Sequence, residues 1–256
     1  MLRVIRARIE QKYRTMRFPS GPAPELPDRF AGRPVIAGPC PDNCRACRDA
    51  CPTGAIGQGP DRALALDMGR CLFCRDCVSA CPEKRISFSR SPRLAASRRE
   101  DLVVGAGPGL PPEVASALAR KLFRRSLKLR QVSAAGCNSC EADVNVLGTP
   151  AWDMGRFGIQ FVASPRHADG ILVTGPVSEN MALALQKTYE AVPEPRIVIA
   201  CGACAISGGP YIGHPEAKDG AGSLVPVDLY VPGCPPHPLT TLDALLRFLG
   251  RSVPEL

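Results

Sequence analysis

Cys71, Cys74, Cys77 and Cys81, the last followed by Pro82, spell C-x2-C-x2-C-x3-C-P. Three soft thiolates in so tight a loop can each cap one iron of a cube, while backbone N–H groups of the same loop stabilise the reduced charge. The fourth thiolate, carried past the loop, reaches to another cube. Cys40, Cys44, Cys47 and Cys51, with Pro52 behind, repeat the run as C-x3-C-x2-C-x3-C-P, and Pro52-Thr53-Gly54-Ala55-Ile56 matches Pro82-Glu83-Lys84-Arg85-Ile86 in layout. The duplication implies a pseudo-twofold pair of sites with crossed fourth ligands. Cys40, Cys44, Cys47 and Cys81 would hold one [4Fe–4S] cluster, and Cys71, Cys74, Cys77 and Cys51 the other. One extra residue among Pro41, Asp42 and Asn43 makes Cys40 the least regular member.

Five cysteines remain: Cys137, Cys140, Cys201, Cys204 and Cys234. Short apolar runs at 129–133, 159–163, 170–174, 196–200 and 227–231 read as buried strands, and 180–191 and 239–249 as helices, which indicates a mainly parallel α/β sheet. The five cysteines follow the first, fourth and last of these strands. Open α/β sheets bind ligands at those carboxyl ends. Glycines at 136, 202 and 233 let backbone approach a bulky inorganic group, so four of the five would complete a third cluster. Paired C-x2-C steps also suit tetrahedral zinc in a structural adaptor. Four cysteines within twelve residues followed by Pro argue against that alternative.

The chain has 256 residues, 45% of them hydrophobic, a net charge of +8 and an odd cysteine count of 13, which opposes a secreted disulfide scaffold. No apolar run approaches the roughly 20 residues that cross a bilayer. Residues 1–17 lack an apolar leader core, so a cytoplasmic location is expected. The excess positive charge lies in residues 1–36 and 84–130, flanking the first cysteine group. Between the halves, 89–112 is rich in Arg, Gly and Pro and reads as turns and extended chain. A short helix with a basic face is expected at 113–125. No aromatic interleaves with Arg124 and Lys128, so no nucleic acid is expected, and these charges read as a solvated or subunit-docking face. The divisions are 1–34, a basic docking segment; 35–90, the two-cluster unit; 91–121, linker and basic helix; and 122–256, the α/β unit.

Residues 35–88 resemble the two-cluster bacterial ferredoxins, and 2–39 look like the leader of ferredoxin-like subunits of membrane-bound hydrogenases and formate hydrogenlyases. In the second half, Gly136-Cys137-Asn138-Ser139-Cys140-Glu141, Ser164-Pro165-Arg166-His167, Val173-Thr174-Gly175-Pro176, Cys204-Ala205-Ile206-Ser207-Gly208 and Val231-Pro232-Gly233-Cys234-Pro235-Pro236 occur in that order. They resemble the small subunit of energy-converting [NiFe]-hydrogenases and its relative, the complex I small subunit. The resemblance implies a bacterial-ferredoxin-like α+β domain followed by a flavodoxin-like, mainly parallel α/β domain. It makes Cys137, Cys140, Cys204 and Cys234 the third cluster's ligands and leaves Cys201 a buried thiol.

The same resemblance implies an electron relay with three [4Fe–4S] clusters, not catalytic alone. It would serve a [NiFe]-hydrogenase-like large subunit, together with other subunits of a membrane-bound complex. A complex I-like, quinone-linked relay is the alternative; the two-residue spacing of Cys137 and Cys140, against adjacent ligands in complex I, favours hydrogenase. Glu141 is a candidate proton relay if burial raises its pKa, or else a hydrogen-bonding group behind the ligands or a surface acid. Arg166 and His167 would stabilise a reduced cluster or face the partner. No complete nickel ligand set is left over. Basic faces at 3–17 and 121–130 would meet other subunits or the anionic cytoplasmic leaflet, placing the chain peripherally on the membrane's inner face.

Overall fold

The computed structural model describes residues 2–21, 24–38, 40–41, 43–58, 63–105 and 117–251. Helix α1 (Leu2–Gln11) buries no residue. The chain after it is drawn into the molecule at Phe18, which is 1% exposed. Arg156 donates to the carbonyls of Met16 at 2.7 Å and Phe18 at 2.5 Å. Phe18, within the expected docking segment, thus packs into the core, and it is the kind of side chain whose burial stabilises most.

A strand–helix–strand unit follows: β1 (Pro34–Ile36), α2 (Ala46–Asp49) and β2 (Ile56–Gln58). It recurs as β3 (Leu64–Asp67), α3 (Asp76–Ala80) and β4 (Ile86–Phe88). β1 pairs antiparallel with β4 and β2 with β3, so each repeat is completed by the other. The duplication reaches the backbone: Asn43 and Phe73 have φ of 60° and 56°, and Gly54 and Lys84 have 59° and 50°. Phe73 and Lys84 occupy this left-handed region against the usual cost of about 1–2 kcal/mol. The loops hold them there. β5 (Val103–Val104) adds antiparallel to β3.

Past α4 (Ala117–Leu122), the part of the expected basic helix that lies within the described residues, comes β6 (Leu127–Ser133), then α5 (Ser139–Val146) and β7 (Ile159–Phe161). β8 (Gly170–Thr174), α6 (Glu179–Ala191), β9 (Ile197–Cys201), α7 (Ala203–Ser207), β10 (Leu229–Val231) and α8 (Pro238–Phe248) complete the described elements. The five strands form one parallel sheet in the order β10-β9-β8-β6-β7. Counted by appearance this is 2-1-3-4-5, the flavodoxin-like order, whose switch point lies between the first and third strands. β8 and β9 are buried at every residue, as expected of central parallel strands covered on both faces. All five expected strands occur, with ends displaced by up to two residues. α5 and α7 do not appear in the sequence reading, because helices of eight and five residues are too short to establish a helical period.

Of the region read as turns and extended chain, 106–112 lie outside the described residues, and 89–105 contribute to the core instead. Leu94, Ala95, Ala96 and Leu102 are at most 3% exposed. Ala96 forms an antiparallel bridge with Tyr230 at the edge of the large sheet, while Val103 and Val104 join the small one. Arg93 lies 3.5 Å from Asp243 of α8, whose fully buried carboxylate also meets Arg247 Nε at 2.8 Å. Arg99 is bidentate on Asp67, at 2.8 and 2.6 Å. Ile206 and Ala205 of α7 enter the same core as Ile56, Leu66 and Ile86. Basic residues that composition assigns to a solvated face are partly consumed in pairs that weld the halves together. Burial pushes the Asp243 carboxyl up even against its two arginines. Asp243→Ala, which removes the buried carboxylate that Arg93 and Arg247 both meet, is expected to destabilise the protein by about 3–5 kcal/mol in chemical denaturation; a loss below about 1 kcal/mol would show that the pair does not hold the halves.

Candidate metal centres

Loops of the duplicated unit gather eight cysteines into two groups. Cys47 lies in α2 and Cys77 at the matching place in α3, both buried. Each group takes one thiol from the other repeat: Cys40 and Cys47 sense Cys81 electrostatically, whereas Cys71, Cys74 and Cys77 sense Cys51. Burial, reinforced by neighbouring sulfurs, pushes Cys71 up to about 12 and Cys77 up to about 11. Backbone donors reach three of the sulfurs. Ala55 N–H meets Cys51 Sγ at 3.2 Å, Arg85 N–H at the equivalent place meets Cys81 Sγ at 3.3 Å, and Phe73 N–H meets Cys71 Sγ at 3.3 Å. Thiols that burial and neighbouring sulfurs keep from ionising, as at Cys71 and Cys77, fit sites completed by a metal's positive charge.

The third group sits at the carboxyl ends of the large sheet, about the switch point between β6 and β8. Cys137 follows β6, Cys140 is in α5, Cys204 is in α7 and Cys234 follows β10. These four, with Glu141 and Gly175, line one recess, and Cys51, Cys71, Cys74 and Cys77 line another. Among the described residues no three of His, Cys, Asp and Glu converge as tightly as a single metal ion requires. A Cβ at Gly202, φ +96°, would stand 2.6 Å from Cys140 Sγ, and one at Gly209 2.8 Å from Cys204 Sγ. Only glycine fits either place. Burial and then the other sulfurs drive Cys140 far above the thiol range and Cys204 up to about 11. The hydroxyl and N–H of Ser139 hold Cys137 below it. Cys137 and Cys234 are exposed, so the group opens to the surface.

Glu141 is 6% exposed. Its Oε1 accepts from Ser133 Oγ and Thr174 Oγ1, both at 2.7 Å, and its Oε2 is buried without a hydrogen-bond partner among the described residues. Burial works to raise the carboxyl, but the Thr174 and Ser133 hydroxyls outweigh it and hold it below the ordinary range. The expectation of a raised pKa is thus overturned by two hydroxyls from neighbouring strands.

Arg166 and His167 precede β8, at the amino end of a strand whose carboxyl end faces the cysteines. Five residues at roughly 3.3 Å each separate them from the third group. Neither can stabilise a cluster there, and their position before a strand was the available signal. Cys201 is fully buried in the core, pushed up to about 12. His237, absent from the expected site, caps α8 by accepting from Leu239 N–H at 3.1 Å, between the rings of Phe30 and Trp152. Gly202→Ala, which drives a methyl toward Cys140 Sγ, is expected to lower bound iron by about four per chain, one [4Fe–4S] equivalent. Iron and acid-labile sulfide assays on anaerobically purified protein measure this, and full retention counts against the cradle.

Comparison with known proteins matches both regions. Residues 137–248 fit the family described as NADH ubiquinone oxidoreductase, 20 Kd subunit, and residues 40–88 the 4Fe-4S dicluster domain. The probable membrane-bound hydrogenase subunit mbhJ of Pyrococcus furiosus is 40% identical over 51% of this chain and 78% of its own length. Formate hydrogenlyase subunit 7 of Escherichia coli is 41% identical over 51% of each chain. An NADH-quinone oxidoreductase subunit of Heliobacterium modesticaldum is 42% identical over 45% of this chain and 67% of its own. All three are named as subunits, of a hydrogenase, a formate hydrogenlyase and an NADH-quinone oxidoreductase. With four cysteines gathered at the carboxyl edge of a 2-1-3-4-5 sheet and a dicluster region before it, the chain belongs to the family of the NADH ubiquinone oxidoreductase 20 kDa subunit.

Proposed function

We propose that this chain is an electron-transfer subunit holding three [4Fe–4S] clusters. It relays electrons between a redox partner and the active site of a [NiFe]-hydrogenase-like large subunit, in a complex held at the inner face of the cell membrane through partner subunits. The observation that carries this reading is the sequence of thiol groups. Cys47 of the first group and Cys77 of the second share one buried cluster, and Cys234 of the third lines a cavity with Leu72 and Phe73 of the second group's loop. When bound, such clusters supply one-electron transfer at potentials tuned by hydrogen bonds, charge and burial.

Cys40, Cys44, Cys47 and Cys81 would hold the first cluster, Cys71, Cys74, Cys77 and Cys51 the second, and Cys137, Cys140, Cys204 and Cys234 the third. Residues 35–90 then form the two-cluster unit and 122–256 the third-cluster unit, with 1–34 as a docking segment and 91–121 joining them. Ser207 Oγ, one turn beyond Cys204, donates to Gly69 O at 2.9 Å, two residues before Cys71. That bond ties the second group's loop to the third group's helix and fixes their spacing. The exposed side of the third group, at Cys137 and Cys234, is where a large subunit would seat. Glu141, beside Cys140 and held by Ser133 and Thr174, takes the hydrogen-bonding role in place of a proton relay.

The relationship to the Heliobacterium NADH-quinone oxidoreductase component favours a second reading, in which the same relay ends at a quinone. Anaerobic isolation of the complex through a tag on this chain separates the two. About twelve irons per chain are expected, falling to about eight in Cys204→Ser, with nickel and hydrogen-dependent dye reduction in the parent complex. Full iron without nickel, with quinone-dependent activity, would transfer the assignment to the second reading. Iron near eight in the parent chain would sink the three-cluster arrangement.

A further inference from the structure

Helix α1 is explained by none of these centres. It buries nothing, and Leu2, Ile5 and Ile9 are 83, 50 and 71% exposed. At about 100° per residue these three fall on one narrow stripe, with Arg6 on one side of it and Arg8 on the other. Arg3, Lys12, Arg14 and Arg17 extend the charge, and Glu10 is the only acidic residue in 2–17. Glu10 pairs on the surface with Arg6 at 2.8 Å. Tyr13, 81% exposed, lies under the Arg8 guanidinium. The chain is fastened at Met16 and Phe18, so the helix stands a few residues from the folded body.

The kind of surface that matches α1 follows from this geometry. A groove on a protein subunit would offer a broad apolar floor and few charges at its centre, whereas α1 presents three apolar side chains between arginines. Nucleic acid would satisfy the arginines and leave Leu2, Ile5 and Ile9 in water. A layer of phosphate headgroups over acyl chains satisfies both, and an amphipathic helix with basic flanks and low overall hydrophobicity is the form that lies in such a layer.

We propose that α1 docks directly on an anionic phospholipid surface, with Leu2, Ile5 and Ile9 in the acyl boundary, Arg3, Arg6 and Arg8 among the phosphates and Tyr13 at headgroup level. This contact is separate from the cluster assignment and adds to attachment through partner subunits. One short helix makes a weak anchor, so the binding is reversible and sensitive to salt.

The test is co-sedimentation of the full chain, purified anaerobically, with vesicles of phosphatidylcholine alone or containing phosphatidylglycerol. Binding is expected only to the anionic vesicles, and to fall as salt rises. At about fivefold per arginine, R3S/R6S/R8S binds roughly a hundredfold more weakly, and I5S/I9S at least about tenfold more weakly. Iron content is measured in parallel and stays at the parent value in both variants, since α1 contributes nothing to the core. Absence of binding by the parent chain to anionic vesicles overturns the proposal, as does unchanged binding by both variants. Loss of a partner subunit from the tagged complex of either variant, with vesicle binding unchanged, overturns it in favour of a subunit-facing helix.

Discussion

Thiols gathered in fours repel one another as they ionise, and burial sharpens the repulsion; the elements around them answer to that constraint. Left-handed turns at Asn43 and Phe73, and at Gly54 and Lys84, bend both repeats alike, and the Ala55 and Arg85 N–H groups fall on Cys51 and Cys81 as a result. Gly202 and Gly209 leave out side chains that would strike Cys140 and Cys204. The large sheet brings in the third group by directing its parallel strands one way, so loops far apart in sequence end on one edge. A single inorganic group in each set would relieve the repulsion at its source, which is why loop geometry and thiol chemistry agree on the same purpose.

A relay also requires its centres to keep their separations, and a hinged pair of domains would not. Residues 93–104 run between the two sheets, bridging to Tyr230 on one and adding β5 to the other, while Ala205 and Ile206 contribute to the core of the duplicated unit. The fully buried Asp243 pairs with Arg93 across this seam. A buried ion pair adds little to stability over a well-packed apolar alternative, yet it is costly to break, which favours one register of the two halves over others. Ser207 and Gly69 apply the same restraint beside the cysteines themselves.

Much of this was legible in the residues. The cysteine runs are local: four ligands within twelve residues, ended by Pro, carry their chemistry in their spacing. The five strands were legible because central parallel strands are continuous apolar runs, as in β8 and β9. The middle of the chain was not, because composition there signals turns while the decisive residues are Leu94, Ala95, Ala96 and Leu102, too few to make a periodic pattern. Arg166 and His167 stood in a matching motif, but belong to the opposite end of β8 from the cysteines.

By itself, then, the sequence determined which atoms are available for metal, how the first eight thiols repeat, and that a parallel sheet follows, since each of these is set by contacts within a loop or a single strand. Tertiary structure alone decided the rest. It brought Ser133 and Thr174 onto Glu141 and reversed the direction of its titration. It set Asp243 opposite Arg93, and it left α1 standing outside the core with its apolar stripe uncovered. These outcomes depend on which distant surfaces meet and how much water they exclude, and neither spacing nor composition along one chain encodes that directly.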